Sequence, residues 1–147
     1  MNIIEDKIQA LQDFQDNVYS LIIDIVIKND NIVIEYNTED QLYEKGILST
    51  GISIDSFAPY SPVTIQMKQI KGQPYDRVTL RDENKFHSSF QVIRISDGVA
   101  EIIALDDKTD ELLRQYGKDV LGLTEDNLDD LTWSYVYEDL LTKMSEI

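Results

Sequence analysis

Apolar residues in the first part of the chain recur at three- and four-residue steps between Ile4 and Ile25. This spacing places them along one face of a helix, which we predict from about Ile3 to Ile27. The polar residues 28–31 should end that helix. The β-branched run from Ile32 to Tyr36 then predicts a strand.

A short helix should follow this strand. Thr38 and Gln41 have the spacing of a capping box, and Gly46 is suited to end the helix. The next residues, up to Tyr60, lack helical periodicity, so we expect an extended loop with a brief strand at 52–54.

A second local signal is Ser61-Pro62, a helix cap followed by a proline at the first helical position, which predicts a helix up to about Lys71. Gly72 and Pro74 should stop it. The residues 77–80 are then expected to form a strand.

Two apolar runs, 90–95 and 99–105, flank Asp97-Gly98, a pair that tolerates positive φ and favours a tight hairpin turn. Alternate residues of paired strands point to the same side of a hairpin. We therefore expect one core face made of Phe90, Val92, Val99 and Ile103.

The chain should end in two helices, 109–116 and 124–144, with Gly117 after the first and Thr124 capping the second. The last helix is apolar on more sides than one core contact requires. We assign Leu128, Leu131, Tyr135 and Leu140 to one stripe and Trp133, Val136, Tyr137 and Leu141 to a second stripe. The second stripe is expected to be exposed, which makes Trp133 and Tyr137 candidate interface residues.

The order of these elements lacks the regular alternation of a doubly wound sheet. We therefore predict an α+β fold, with a small antiparallel sheet around a central hairpin, packed by a long N-terminal helix and by C-terminal helices. One domain should span 1–147, and 122–147 is a candidate inter-subunit arm.

The composition narrows the range of possible functions. The 147 residues include 13 Lys or Arg, 28 Asp or Glu and no Cys, which gives a formal charge of −15. Such acidity argues against broad binding to nucleic acid or to anionic membranes, and the absence of Cys excludes disulfides and thiolate chemistry. Neither a signal peptide nor a membrane-spanning segment is expected.

Few residues suggest catalysis. His87 precedes Ser88 and Ser89, but no nucleophile elbow surrounds either serine. The carboxylates at 106–111 and 125–130 lack the pattern of a calcium loop and suit helix N-termini instead. We therefore expect a protein that is not an enzyme and has no cofactor or metal, while a metal-dependent enzyme built on the acidic clusters stays open as an alternative.

Charge is unevenly distributed along the chain. Residues 61–94 carry six basic and three acidic side chains, whereas residues 106–147 carry four basic and twelve acidic ones. Such polarity suits copies that pack head to side in a closed ring. We expect Lys68, Lys71, Arg77 and Arg81 to make protein contacts and not to bind DNA.

The central third of the chain resembles a recurring pattern in bacteriophages. The residues that carry the resemblance are Gln41-Leu42-Tyr43-Glu44-Lys45-Gly46, Tyr60-Ser61-Pro62-Val63-Thr64-Ile65, Lys68, Lys71-Gly72-Gln73-Pro74, Val78-Thr79-Leu80-Arg81-Asp82, Phe86, Ser89 and Phe90. The pattern is similar to that of the tail-completion and head–tail joining (neck) proteins of tailed phages. The run between Leu112 and Thr124 looks like the versions found in phages of Bacteroides relatives. The family's Asp-Thr-Gly turn is replaced by Asp82-Glu83-Asn84, with Asn84 expected to take a left-handed conformation.

This resemblance implies a structural virion protein of the phage neck or tail top. Several copies would form a ring in the channel between portal and tail, in contact with other neck, portal or tail proteins, while DNA passes without specific binding. The protein would be assembled in the host cytoplasm and located in the virion. The alternative from another class is a small acidic adaptor or inhibitor that binds a host protein.

Overall fold

A computed structural model describes residues 2–147, most of which are helical. The α-helices are α1 (Ile3–Lys28), α2 (Asp30–Glu35), α3 (Pro62–Lys71), α4 (Lys85–Ser88), α5 (Thr109–Tyr116), α6 (Glu125–Leu131) and α7 (Tyr137–Ser145). Two π-helical segments are Tyr36–Lys45 and Thr132–Val136, and two short 3₁₀ turns are Ile54–Ser56 and Lys118–Val120. The strands β1 (Phe90–Ser96) and β2 (Val99–Ala104) form an antiparallel hairpin. The predicted α+β class is confirmed.

Helix α1 matches its predicted bounds to within a residue. The Asn2 side chain accepts hydrogen bonds from the first turn, at 3.0 Å from the Ile4 nitrogen, and Asn29 ends the helix by donating to the Ile25 carbonyl at 2.8 Å. The two halves of α1 differ in burial. Ile23 and Ile25 lie in the core, whereas residues 3–17, which we call the N-terminal arm, are largely exposed.

The predicted strand at Ile32–Tyr36 is wrong, and so is the capping box at Thr38. The chain turns at Asn29 and continues as α2 and the π-helix Tyr36–Lys45. Val33, Asn37 and Gln41 recur every four residues and are all buried. These three residues share one side of the helix, and their tertiary contacts outweigh the β preference of the Ile-Val-Ile run.

Asn37 and Gln41 bind the backbone of residues 120–124, and we call this contact the amide clamp. Asn37 donates to the Val120 carbonyl and accepts from the Gly122 nitrogen, both at 2.9 Å. Gln41 donates to the Gly122 carbonyl at 2.8 Å and accepts from the Thr124 nitrogen at 2.9 Å. Two side chains thus satisfy four backbone groups that have no strand or helix partner.

The middle of the chain largely follows the sequence prediction. Helix α3 is capped by Ser61, whose hydroxyl accepts from the Thr64 nitrogen at 3.2 Å, and it ends at Gly72, which has φ of 69°. The brief strand expected at 52–54 is reduced to one bridge between Ile47 and Ser53, followed by the Ile54–Ser56 turn.

The predicted strand at 77–80 is wrong, because these backbone groups bond to side chains instead of a second strand. The Val78 nitrogen donates to the Asp55 carboxylate at 3.1 Å, and the Thr79 nitrogen donates to the Tyr60 hydroxyl at 3.0 Å. Leu80 then takes φ of 56°, a left-handed conformation that a strand does not contain.

The hairpin is confirmed, but its predicted core face is only half right. Phe90 pairs with Ala104 and Val92 pairs with Ile102, so these four residues share the face that packs on the core. Ile103 lies opposite Gln91 on the other face, and Val99 is exposed.

The face assignment failed because the strands are offset by one residue from the pairing expected. A register irregularity between Arg94 and Ser96 precedes the two-residue turn. Neither Asp97 nor Gly98 takes the positive φ that suggested the turn. A one-residue shift moves every side chain to the opposite face.

The two predicted C-terminal helices are present, and Thr124 caps the second one by accepting from the Asn127 nitrogen at 3.3 Å. The second helix contains a π-helical turn at Thr132–Val136. Val136 follows Leu131 by five residues, about one π-helical turn, so both lie on the same buried side. Leu128 is exposed, and the burial of Val136 and of Leu128 is therefore the reverse of their predicted stripes.

The core consists of two clusters that share Ile102 on strand β2. The first cluster holds the loop and hairpin together; its buried residues are Leu42, Leu48, Ile54, Val78, Phe86, Phe90 and Val120. The second cluster joins α1 to the C-terminal helices; its buried residues are Ile25, Val33, Leu131 and Val136.

The amide clamp yields a stability prediction. Gln41→Ala removes a fully buried side chain and leaves the half-buried Gly122 carbonyl and Thr124 nitrogen without their partner, so the free energy of unfolding should fall by about 2–4 kcal/mol. Gln9→Ala is the matched control, because Gln9 is an exposed glutamine on α1, and it should change the free energy by less than about 0.5 kcal/mol. Urea denaturation of the two variants checks this, and equal midpoints would show that the clamp is not stabilising.

Candidate interaction surfaces

The residues that carry the phage resemblance pack around one another. Gly46 takes φ of 62°, and a Cβ there would lie 2.9 Å from the Val78 carbonyl oxygen, so only glycine fits. The Arg77 Nε donates to the Tyr43 carbonyl at 2.7 Å. The aromatic rings of Phe86 and Phe90 meet edge to face with centroids 5.0 Å apart. These residues thus have structural roles.

Lys68 is buried, with 7% of its surface exposed. Its ammonium donates to the Arg81 carbonyl at 3.0 Å and lies 5.0 Å from the centroid of the Tyr60 ring. Both contacts stabilise a cation out of water. Lys68 therefore holds α3 against the loop after Thr79.

Arg81 is enclosed by three groups. Its Nη2 lies 2.6 Å from a carboxylate oxygen of Glu39, its guanidinium lies 4.2 Å from the centroid of the Tyr43 ring, and it donates to Nδ1 of His87.

Nε2 of His87 lies 2.9 Å from the Thr79 carbonyl oxygen. With Nδ1 accepting and Nε2 donating, the imidazole is neutral. Burial, followed by the charge of Arg81, lowers the pKa of His87 to about 4.

The four basic residues predicted at an interface all make contacts within their own chain. Lys68, Arg77 and Arg81 do so as described, and Lys71 lies 3.0 Å from the carboxylate of Asp82. Hydrogen bonds from Lys71 and Gln73 lower the pKa of that carboxyl. Contacts between copies through these residues stay a prediction, with Lys71 the most exposed of the four.

The expectation for Asn84 is met, since it takes φ of 65° immediately before α4. His87, Ser88 and Ser89 lead into β1 as expected. The Ser89 hydroxyl donates to the Phe86 carbonyl at 2.7 Å and accepts from the Leu105 nitrogen at 3.1 Å, which ties the two ends of the hairpin together.

The acidic clusters lie at helix starts, with Asp110 and Glu111 in the first turn of α5 and Glu125 and Asp126 in the first turn of α6. Within residues 2–147, no three carboxylate or imidazole groups are placed so that they could hold a metal ion. The same residues include no helix long and apolar enough to cross a membrane.

Three of the four residues predicted to form an exposed apolar stripe on the last helix, Trp133, Tyr137 and Leu141, are exposed, whereas Val136 is buried. Trp133 is 63% exposed and Tyr137 is 46% exposed, and their rings contact each other with centroids 5.3 Å apart. Leu141 and Met144 continue the same face. We call these four residues the C-terminal stripe. The opposite side of the helix, with Leu131 and Val136, supplies the core, so the stripe is left over after folding.

Two further exposed stripes were not recognised as surfaces from the sequence. Helix α3 buries Lys68 and leaves Val63, Met67 and Ile70 exposed, which reverses the usual placement of charge and apolar groups. The N-terminal arm leaves Ile4, Ile8 and Leu11 exposed, although the same periodicity further along α1 marks the core. The signal for α3 was present in the sequence, because three apolar residues share a face that excludes the lysines.

The molecule is therefore an α+β protein with three separate apolar stripes on an acidic surface. Comparison of the sequence and structure with protein-family models, with curated proteins and with solved structures found no match.

The burial of neutral His87 predicts a pH-dependent stability. Its pKa is about 4 in the folded chain and 6.5 as a free group, so the unfolded state binds more protons between these values. Stability should be complete above pH 6.5 and decline as the pH falls towards 4, with His87 accounting for about 2 kcal/mol between pH 7 and pH 4.5.

His87→Gln keeps a donor for the Thr79 carbonyl but does not titrate in this range. The stability curves of the two proteins should therefore converge by about 2 kcal/mol as the pH falls, whereas parallel curves from chemical denaturation at each pH would refute the role of His87.

Proposed function

We propose that this protein is a structural subunit of the neck or tail top of a tailed bacteriophage, where several copies form a ring in the connection between portal and tail. The observation that carries the proposal is the C-terminal stripe. A folded, strongly acidic chain gains nothing by exposing a tryptophan, a tyrosine and two further apolar residues unless another molecule covers them.

The number of stripes also supports a ring. A subunit of a closed ring contacts two neighbours through two different surfaces, and a neck protein must in addition contact the layers above and below it. Three separate stripes, on α3, on the N-terminal arm and on the last helix, give this chain enough surfaces for such contacts.

The resemblance of residues 41–90 to tail-completion and head–tail joining proteins supports a ring in the phage neck or tail top. The glycine, cap and aromatic positions of that pattern have defined structural roles in this fold, as Gly46, Ser61, Gly72 and Phe90 illustrate. The net charge of −15 suits a channel through which DNA passes, because an acidic wall repels phosphate. The proposed role is structural and requires neither catalysis nor a cofactor.

A double substitution tests the proposal. Trp133→Ala with Tyr137→Ala removes the centre of the C-terminal stripe but no core contact, so the protein should keep its circular dichroism spectrum and lose at most about 1 kcal/mol of stability. Incorporation into phage particles, measured by complementation and by immunoblotting of purified virions, should fall at least tenfold.

The matched control is Tyr19→Ala with Phe57→Ala, which removes two aromatic residues of similar exposure outside the stripe, and it should leave incorporation unchanged. If the wild-type protein stays in the lysate and is absent from virions, the proposal is wrong and an adaptor or inhibitor role is favoured. If the Trp133 and Tyr137 variant unfolds, the stripe belongs to the core and the argument from exposure fails.

A further inference from the structure

We propose that a pocket between α3, the loop 80–86 and α5 binds a small molecule that carries one carboxylate on an aromatic body. The pocket has a volume of about 330 Å³, which lies in the range of small-molecule sites. We call it the Lys68 pocket, and its inner walls are formed by Tyr60, Lys68, Leu80, Phe86, Leu112 and Tyr116. The inference goes beyond the proposed structural role and does not depend on it.

Lys68 is a buried cation that forms no ion pair with any carboxylate of residues 2–147. Its Nζ donates to the Arg81 carbonyl oxygen at 3.0 Å and to the Gln73 side-chain oxygen at 3.4 Å, and both acceptors are uncharged. The neighbouring Asp82 carboxylate accepts from Lys71 and Gln73 instead. An ammonium has three N–H groups and buried charges are normally paired, so Lys68 has a donor and a charge to offer a carboxylate.

Helix α5 supplies a second wall of the pocket. Leu112 and Tyr116 lie one helical turn apart and therefore share a face of α5. Within residues 2–147 the Tyr116 hydroxyl makes no hydrogen bond, and burial raises its pKa, so it is available as a second donor to the carboxylate.

The apolar walls suit an aromatic ring. Tyr60, Leu112 and Tyr116 are half-buried, because each packs on the first core cluster and also lines the pocket. A ring in the pocket would therefore contact two tyrosine rings and a leucine side chain, while its carboxylate bound Lys68.

The backbone beside the pocket takes unusual conformations. Leu80 has φ of 56° and Asn84 has φ of 65°, and in the part of the chain that the structure describes they are the only residues other than glycine with positive φ. Both line the Lys68 pocket. Such conformations are rare for a bulky residue such as leucine, and they concentrate at binding sites, where surrounding contacts maintain them.

The charges around the pocket favour a ligand with a single negative charge. Four cations and four carboxylates line it, so their formal charges cancel; they are Lys68, Arg81, Lys85, Lys108, Asp82, Glu83, Asp106 and Asp107. One carboxylate would neutralise Lys68, whereas a phosphate dianion would also be repelled by the four acidic side chains. A cationic ligand would place a second positive charge beside Lys68. A monocarboxylate is therefore the class that fits.

Two larger cavities lack a buried charge that could orient a ligand. The groove of about 740 Å³ between α1, the hairpin and residues 118–123 is mainly apolar, and its charged residues Glu101, Lys118 and Asp119 are exposed or half-buried. A cavity of about 520 Å³ beside Tyr36 is lined by five carboxylates and one lysine, which are also exposed or half-buried. The Lys68 pocket alone among the three combines a buried cation with aromatic walls.

An NMR titration of the isotope-labelled full chain tests the proposal. Benzoate and phenylacetate are the probes, and benzamide is the uncharged match of benzoate. At neutral pH both carboxylates should shift the amide signals of residues 80–86 and 108–116 in a saturable way. Benzamide should bind at least about ten times more weakly, because it keeps the ring but lacks the charge that Lys68 would bind.

Two variants test the donors. Lys68→Met removes the charge and keeps an unbranched side chain, so benzoate and benzamide should bind this variant equally. Lys7→Met is the matched control, because Lys7 is an exposed lysine on α1, and it should keep the preference for benzoate. Tyr116→Phe removes only the hydroxyl, so it should leave the melting temperature unchanged and weaken benzoate binding about threefold to tenfold. This variant provides the test if Lys68→Met does not fold.

Equal binding of benzoate and benzamide to the wild-type protein would overturn the proposal, as would the lack of saturable shifts with either carboxylate. Shifts confined to residues 118–123 would place binding in the larger groove and reject the Lys68 pocket. A folded Lys68→Met variant that still prefers benzoate, or an unchanged benzoate affinity of Tyr116→Phe, would reject the donors assigned to the carboxylate.

Discussion

The fold depends most on two buried amides that bind a stretch of irregular backbone. Residues 120–124 are buried or half-buried without a strand or helix partner, and the amide clamp of Asn37 and Gln41 satisfies four of their backbone groups. A segment of this kind would otherwise be destabilising, since each unpaired buried polar group costs about 1–3 kcal/mol. The clamp also fixes where the last helix begins, because Gln41 accepts from Thr124, the residue that caps α6.

The position of the last helix determines which of its sides remain exposed. Once Leu131 and Val136 are seated against α1, the side that bears Trp133 and Tyr137 faces outward. A comparable logic applies to α3, where Lys68 is the residue that turns inward and the apolar ridge turns outward. In both helices one side packs in the core of the monomer, and the apolar side chains on another side stay exposed. These exposed faces are available to another molecule. The proposed ring follows from these uncovered faces and from the resemblance of the central segment to phage neck proteins.

Capping and turn residues correctly predicted the elements whose ends depend on interactions between neighbouring residues. Helix α3 has its cap at Ser61 and its stop at Gly72 as expected, and the hairpin forms around Asp97-Gly98. The two wrong strand predictions have a common cause, which is contact with residues distant in the sequence. The residues from Ile32 to Tyr36 have the composition of a strand, but they form the helix that carries Asn37 and Gln41 to a segment more than 80 residues away.

The candidate surfaces, like the fold, were predictable from the sequence only in part. The exposed stripe around Trp133 and Tyr137 was visible as surplus apolar surface, whereas the π-helical turn that brings Val136 to the buried side has no clear sequence signal. The charged residues were harder to place. Lys68 and Arg81 read as surface cations because lysine and arginine rarely lie in a core. Here the Tyr60 ring and the Arg81 carbonyl accommodate Lys68. The Tyr43 ring, the Glu39 carboxylate and the His87 ring accommodate the Arg81 guanidinium.

We propose that the folded chain assembles with copies of itself. Native mass spectrometry of the full chain over a wide concentration range tests it most directly. Monomers are expected at low concentration and one discrete closed oligomer at high concentration, with few intermediates, because ring closure favours the complete assembly. A monomer at every concentration, or an open-ended series of oligomers without a preferred size, would contradict it.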